Sequence, residues 1–424
     1  MLAIQKQLSN WFYALLSLPA TGMGFALSVQ ISALSWILTT QYGLKIDEVG
    51  FVWLSGPLAG IIGQLAVGSV SDNTWFWGGR RRPYMIIGGV LAAFMLLCLP
   101  NLDKIASALG IANMMVVGLA VALTLDLAIN VSFNPTRSVI ADVTPEGNAR
   151  TKGYTWMQTI SGAFGVLAYA ISVWFGNYAL IYFGVALVLL FSIIPTFFIT
   201  EPRTLKPQVA TTNKVKETNR TELMKIYVAH GFTWLGVQTM FVFMFAFIQS
   251  TMGLTDNNEM GKTISMAFLI MNVVGFVLPK LVLEPITKQL GRVRTHTACI
   301  ALMAGAYGAI YLFGHTPNML YVLMALVGIG WAATVSIPFA IATEKVSSDK
   351  MGLFMGIFNL SVVIPQIIVS GFFGKIINDA ADKNVIFIIC TLSLAISAAL
   401  WLLVKDDEIK QITDKPTQPS RPTL

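Results

Sequence analysis

The stretch LTLDLAINVSFNPTR, residues 123–137, decides how this chain is read. Its acid, Asp126, lies in the apolar run Met114 to Val131 with no other charge nearby, and Arg137 follows eleven residues later in the same segment. At about 100° per residue, eleven residues make about three helical turns, so both side chains project from one face. Asn130 and Asn134 fall on the same stripe. An ionisable group inside a bilayer costs roughly 2.5–3.5 kcal/mol on insertion scales and marks a functional site by default. Lipid cannot satisfy such a polar seam, so it must face a bundle interior or an aqueous cavity.

The rest of the chain supplies the membrane. Of its 424 residues, 55% are hydrophobic and only 12% charged, with mean hydropathy +0.69. A soluble domain carries about 25% charged residues. The apolar stretches near 20 residues match a hydrocarbon core ~30 Å thick. Twelve spans are expected, at 11–40, 49–71, 83–100, 112–140, 152–175, 178–199, 223–252, 262–283, 295–314, 317–343, 351–375 and 384–404. The first is too long for a cleavable signal peptide. The longest internal polar stretch, 201–222, reads as a cytoplasmic linker between bundles at 1–200 and 223–404, and 405–424 as a disordered tail.

The net charge of +7 does not point to nucleic acid, because the cations sit in short loops. Loops on the side of the N-terminus hold 21 of the 28 Lys and Arg residues, and loops on the other side hold 5; Arg137 and Lys280 fall inside spans. The positive-inside bias then places both termini and the linker in the cytoplasm of a multi-pass cell-membrane protein. Cys98, Cys299 and Cys390 are isolated in apolar runs, and His230, His296 and His315 form no cluster. No paired catalytic groups, metal-ligand spacing or phosphate-binding loop is present, so neither an enzyme nor a metal or cofactor is expected.

The two halves read as a diverged repeat. Asp72 is followed by Gly79-Arg80-Arg81-Arg82-Pro83, and Glu284 by Gly291-Arg292-Val293-Arg294; in each case an acid precedes a Gly-plus-cation cluster by seven residues. Asp142 after the fourth span has a weaker counterpart in Glu344. Parallel six-span repeats joined by a linker describe a two-bundle secondary transporter. Asp72, Arg80, Arg81, Arg82, Asp142, Glu284 and Arg292 are candidates for a cytoplasmic gate. Topology alone would explain their cations.

A rise of ~1.5 Å per residue separates Asp126 from Arg137 by roughly 16 Å, so each needs its own partner. Burial and neighbouring charge pull a carboxylate's proton affinity in opposite directions, and a site that alternates between such surroundings can load and release a proton. The bland alternative is a static ion pair with a cation such as Lys280. An uncharged, hydroxylated substrate such as a sugar needs amides and flat apolar platforms. Gln30, Asn130, Asn134, Gln158, Gln238, Asn359, Gln366, Trp234 and Trp331 supply both. Intramembrane amides also serve as helix–helix glue.

These motifs resemble the major facilitator superfamily. The strings Trp53-Leu54-Ser55-Gly56-Pro57-Leu58-Ala59-Gly60, Ser71-Asp72, Leu125-Asp126-Leu127-Ala128-Ile129-Asn130 and Ser336-Ile337-Pro338-Phe339-Ala340 are similar to its sucrose/H⁺ symporters of plants and their animal and bacterial relatives. So is Asn359-Leu360 with Val363-Ile364-Pro365-Gln366. The resemblance implies an all-α membrane protein with the major facilitator fold, twelve transmembrane helices in two six-helix bundles. It further implies a monomeric importer of a disaccharide (sucrose or a maltose-like glucoside) coupled to protons. Asp126 would serve in proton coupling and Arg137 in transport. A Na⁺-coupled or uncoupled carrier, a drug exporter and a non-transporting sensor are the alternatives.

Overall fold

The computed structural model describes residues 7–63, 74–145, 148–202, 218–347 and 351–405. Among the described residues, twelve helices follow one another. In the first half these are α1 (Asn10–Thr40), α2 (Ile46–Gly63), α3 (Arg82–Leu109), α4 (Met114–Val143), α5 (Asn148–Phe175) and α6 (Asn177–Phe197). In the second they are α7 (Arg220–Thr251), α8 (Asn257–Leu290), α9 (Arg292–Phe313), α10 (Pro317–Glu344), α11 (351–379) and α12 (Val385–Trp401). Eleven are long and apolar enough to cross a membrane, and α12 is a shorter apolar helix. The protein is an all-α membrane protein.

Polar residues set the boundaries. Ser9, Asn113, Asn219, Asp256 and Thr316 each accept a backbone N–H from the first turn of α1, α4, α7, α8 and α10, which meets donors that an apolar helix start leaves open. The described residues end α2 at Gly63, so the expected span 49–71 and the acid Asp72 run partly or wholly outside them, as do most of the linker and the tail beyond Lys405. The linker is shorter than expected at its second end. Asn219 caps α7 there, and Glu222 is the first acid of that helix rather than the last residue of a loop.

Helix pairing repeats with a period of six. α1 packs on α5 and α6, and α7 on α11 and α12. α3 packs on α4 and α6, and α9 on α10 and α12. Between the halves the main contacts are α5 with α8 and α2 with α11, again equivalent under the same shift.

Those inter-half contacts are built at the ends farthest from the basic loops. Ser32 of α1 meets Ser265 of α8 at 2.8 Å, and Ser172 of α5 meets the same hydroxyl at 2.6 Å. Asn177 Oδ1 accepts from Ser265 at 3.3 Å and also from Ser172. Nearby, Trp36 donates its indole N–H to the Asn257 carbonyl at 2.8 Å, and Ser35 donates to that of Val242 at 3.1 Å. Toward the basic side the packing loosens. α5 is buried at Ala168–Ser172 but exposed at Thr151, Lys152, Thr155 and Gln158. The buried residues of α8 up to Leu278 stop at Met271. The halves therefore close together on the side away from the basic loops and lean apart on the basic side.

Interhelical hydrogen bonds in membranes are worth about 0.6 kcal/mol each, so this hydroxyl node holds the closed end by about 1–2 kcal/mol, small enough to open. Cysteines at both Ser32 and Ser265 are expected to form a disulfide in substrate-free membranes under mild oxidant, read as a linked peptide pair by mass spectrometry. A pair that stays reduced would contradict this arrangement.

Candidate functional site

Asp126 sits midway along α4 and is only 4% exposed. One oxygen, Oδ2, accepts from Gln30 Nε2 of α1 at 3.0 Å and from Ser55 Oγ of α2 at 2.6 Å. Three helices thus converge on one carboxylate oxygen. Among the described residues no cation lies within ion-pair distance, and Lys280 is exposed on a π turn of α8. The static pair with Lys280 is not formed. Because both donors are neutral, Asp126 can take a proton on Oδ1 without giving up either bond at Oδ2. Its charge can change while its position holds.

Close helix approach makes this geometry possible. A Cβ on Gly63 would sit 2.7 Å from Asn130 Cβ, and one on Gly88 would sit 2.6 Å from the Ala128 carbonyl oxygen. Neither separation is tolerable, so only glycine lets α2 and α3 press this near to α4. Asn130 is half-buried and donates Nδ2 to the Asp126 carbonyl at 2.8 Å. Asn134 is half-buried one turn further on. Arg137 is exposed, its guanidinium 4.3 Å above the Phe133 ring, and its carbonyl accepts from Tyr154 of α5 at 3.2 Å. Asp126 and Arg137 each have separate partners, as their spacing along the helix requires.

A second group of candidates gathers in the other half. Gln366 of α11 donates to Gln238 of α7 at 3.2 Å. Trp234 and Trp331 meet edge to face at 6.2 Å, and Phe241 continues the cluster from Trp331 at 5.4 Å. His230 joins them. Its Nε2 accepts from Trp234 Nε1 at 3.0 Å, and its ring stacks on Phe358 at 4.9 Å. Sequence alone leaves His230 unclustered; its four-residue spacing from Trp234 is the signal that could have placed it here. Gln158 is exposed on α5 and Asn359 half-buried on α11, and neither joins the Asp126 group.

The basic side carries its own charge network. Arg81 Nε pairs with Asp142 at 3.2 Å, both largely buried. Arg292 pairs with Glu344, the equivalent contact in the second half. Glu284 does not take part. It bonds Lys288 at 2.7 Å on its own exposed turn. The reason is geometric, since the i,i+4 lysine is nearer than the cluster beyond Gly291.

Glu201 escapes sequence reasoning as a site residue. Its carboxylate accepts the backbone N–H groups of Arg80 at 2.9 Å, Arg81 at 2.8 Å and Arg82 at 2.8 Å. An anion at the start of α3 meets open donors and the positive end of the helix dipole together. A Cβ on Gly79 would lie 2.6 Å from Glu201 Oε1, which explains that glycine. The Gly-plus-arginine motif thus offers its backbone to Glu201 and one side chain to Asp142.

A family model of the Major Facilitator Superfamily matches residues 16–370 and 285–423. The chain belongs to the Major Facilitator Superfamily. Relatives of this major facilitator include the sucrose transport protein SUT5 of Oryza sativa subsp. indica, 24% identical over 83% of this chain and 79% of its own length. The general alpha-glucoside permease of Schizosaccharomyces pombe is 26% identical over 36% of this chain and 31% of its own. Among solved structures, the nucleoside transporter NupG superposes with a TM-score of 0.70 at 12% identity, covering 93% of this chain and 98% of that one. At that identity the likeness is one of fold. As a member of this superfamily the protein is a carrier rather than an enzyme.

A buried donor left without its acceptor costs about 1–3 kcal/mol. Glu201→Leu is expected to lower the thermal unfolding temperature of the detergent-purified protein by several degrees, with Glu201→Gln intermediate. If Glu201→Leu melts with the wild type, the carboxylate is not holding the start of α3.

Proposed function

We propose that this protein imports a disaccharide, sucrose or a maltose-like glucoside, together with protons by alternating access. The observation that carries the coupling is Asp126, a carboxylate inside an apolar bundle, held by two neutral donors and with no cation in ion-pair reach among the described residues. The sugar assignment is supported by the names of the relatives, sucrose transport proteins and an alpha-glucoside permease.

The residues divide the work as follows. Asp126 takes a proton on Oδ1 while Gln30 and Ser55 keep its position. Asn130, with Nδ2 committed to the Asp126 carbonyl, offers its amide oxygen to a sugar hydroxyl. Asn134 and Gln158 add polar contacts in the first half, and Gln238, Asn359 and Gln366 in the second. Trp234 and Trp331 give the sugar an apolar face to lie against. Arg137 stabilises the deprotonated, inward-facing state, its charge lying toward the basic side where the halves lean apart. The gate on that side comprises Arg80, Arg81, Arg82, Asp142, Arg292 and Glu344, with Asp72 assigned to it from sequence. The protein works as a monomer in the cell membrane with both termini in the cytoplasm, and the proton is its only coupling species.

In proteoliposomes, Asp126→Asn is expected to abolish accumulation of sugar against its gradient while leaving exchange of labelled for unlabelled sugar measurable. Accumulation that survives this change excludes Asp126 as the coupling group. Accumulation by the wild type that follows Na⁺, and is lost when choline replaces Na⁺ at a fixed pH gradient, excludes proton coupling itself.

A further inference from the structure

The outer wall of the second half holds a cavity of about 740 Å³ between α9 and α12. Ligand sites commonly span roughly 300–1,000 Å³. Ala298 and Ala301 of α9 and Ala398 and Ala399 of α12 form its walls. Arg294 and Trp401 close its basic-side end. Three of the four alanines are exposed, so the cavity opens outward rather than into the transport path.

Its origin is a helix that ends early. α12 has 17 residues, about 25 Å at ~1.5 Å per residue, against a hydrocarbon core of ~30 Å. Beyond Trp401 the chain turns toward α7. The Leu403 carbonyl accepts from Lys225 at 3.1 Å, and the Lys405 N–H donates to Glu222 at 2.9 Å. The first turns of α9 are left uncovered on this side.

The groups at that end are suited to an anion. Arg292 is spent on Glu344, but Arg294 is exposed and has no hydrogen-bond or ion-pair partner among the described residues. The positive end of the α9 dipole adds to its charge. Trp401 is fully buried at the floor, and its indole N–H finds no acceptor there. A cation beside an apolar groove of this length matches one ligand class, a molecule with a hydrocarbon chain and a phosphate.

We propose that this cavity binds an anionic phospholipid from the leaflet on the basic side, its acyl chain along the four alanines and its phosphate on Arg294. The site is separate from the sugar path and does not depend on the proposed transport activity.

The test is native mass spectrometry of the detergent-purified full chain titrated with phosphatidylglycerol, phosphatidylcholine or glycerol 3-phosphate. One basic residue at a membrane surface is worth about 1 kcal/mol toward an anionic lipid. Phosphatidylglycerol is therefore expected to bind about fivefold tighter than phosphatidylcholine, and Arg294→Gln to erase that preference while Arg294→Lys keeps it. Ala301→Phe, which fills the groove, is expected to remove binding of both lipids, and glycerol 3-phosphate to compete with neither. Equal binding of the two lipids by the wild type overturns the proposal. So does an unchanged preference in Arg294→Gln, or binding that survives Ala301→Phe. Competition by glycerol 3-phosphate would make this a plain anion site and overturn it too.

Discussion

A bilayer core offers no hydrogen bonds, so every polar group placed there must find its partner within the protein. The arrangement around Asp126 follows from that constraint. One carboxylate needs donors, the donors must come from other helices, and so α1, α2 and α4 are held at one point by Gln30 and Ser55. Gly63 is the steric counterpart, because Ser55 reaches its acceptor only if the backbones of α2 and α4 come close. Polarity and smallness are thus two aspects of one requirement.

The same constraint acts twice because the fold is built twice. Helix pairings of the first half recur six helices later. The basic-side pair Arg81–Asp142 recurs as Arg292–Glu344. The interior groups do not recur. The first half places a carboxylate among neutral donors, whereas the second places an aromatic cluster around Trp234, Trp331 and His230. The two halves share their ion pairs and differ in the groups placed between their helices.

Much of this was legible in the sequence. The apolar stretches marked out the helices, and the acid inside one of them stood out on energetic grounds alone. The rise along α4 correctly set Asp126 and Arg137 apart, each with partners of its own. What failed did so where the answer depends on the third dimension. Glu284 precedes the Gly291-Arg292 cluster by seven residues along the chain, but in the fold a lysine one turn away takes the acid. Glu201 lies 119 residues from Arg82, and no local pattern announces that its carboxylate will cap a distant helix start. Gln30 stands out for its amide, but the chain alone could not say that its Nε2 donates to Asp126.

The two ends of the molecule are organised by different kinds of force. Away from the basic loops, the halves meet through hydroxyls, an asparagine, an indole and backbone carbonyls, groups that carry no formal charge. The basic side is instead organised by guanidinium–carboxylate pairs, which counterions weaken where water reaches them. Brine and fresh water are therefore not equivalent surroundings for the two ends. Dissolved ions reach the half-exposed Arg292–Glu344 pair more than the uncharged contacts at the opposite extremity.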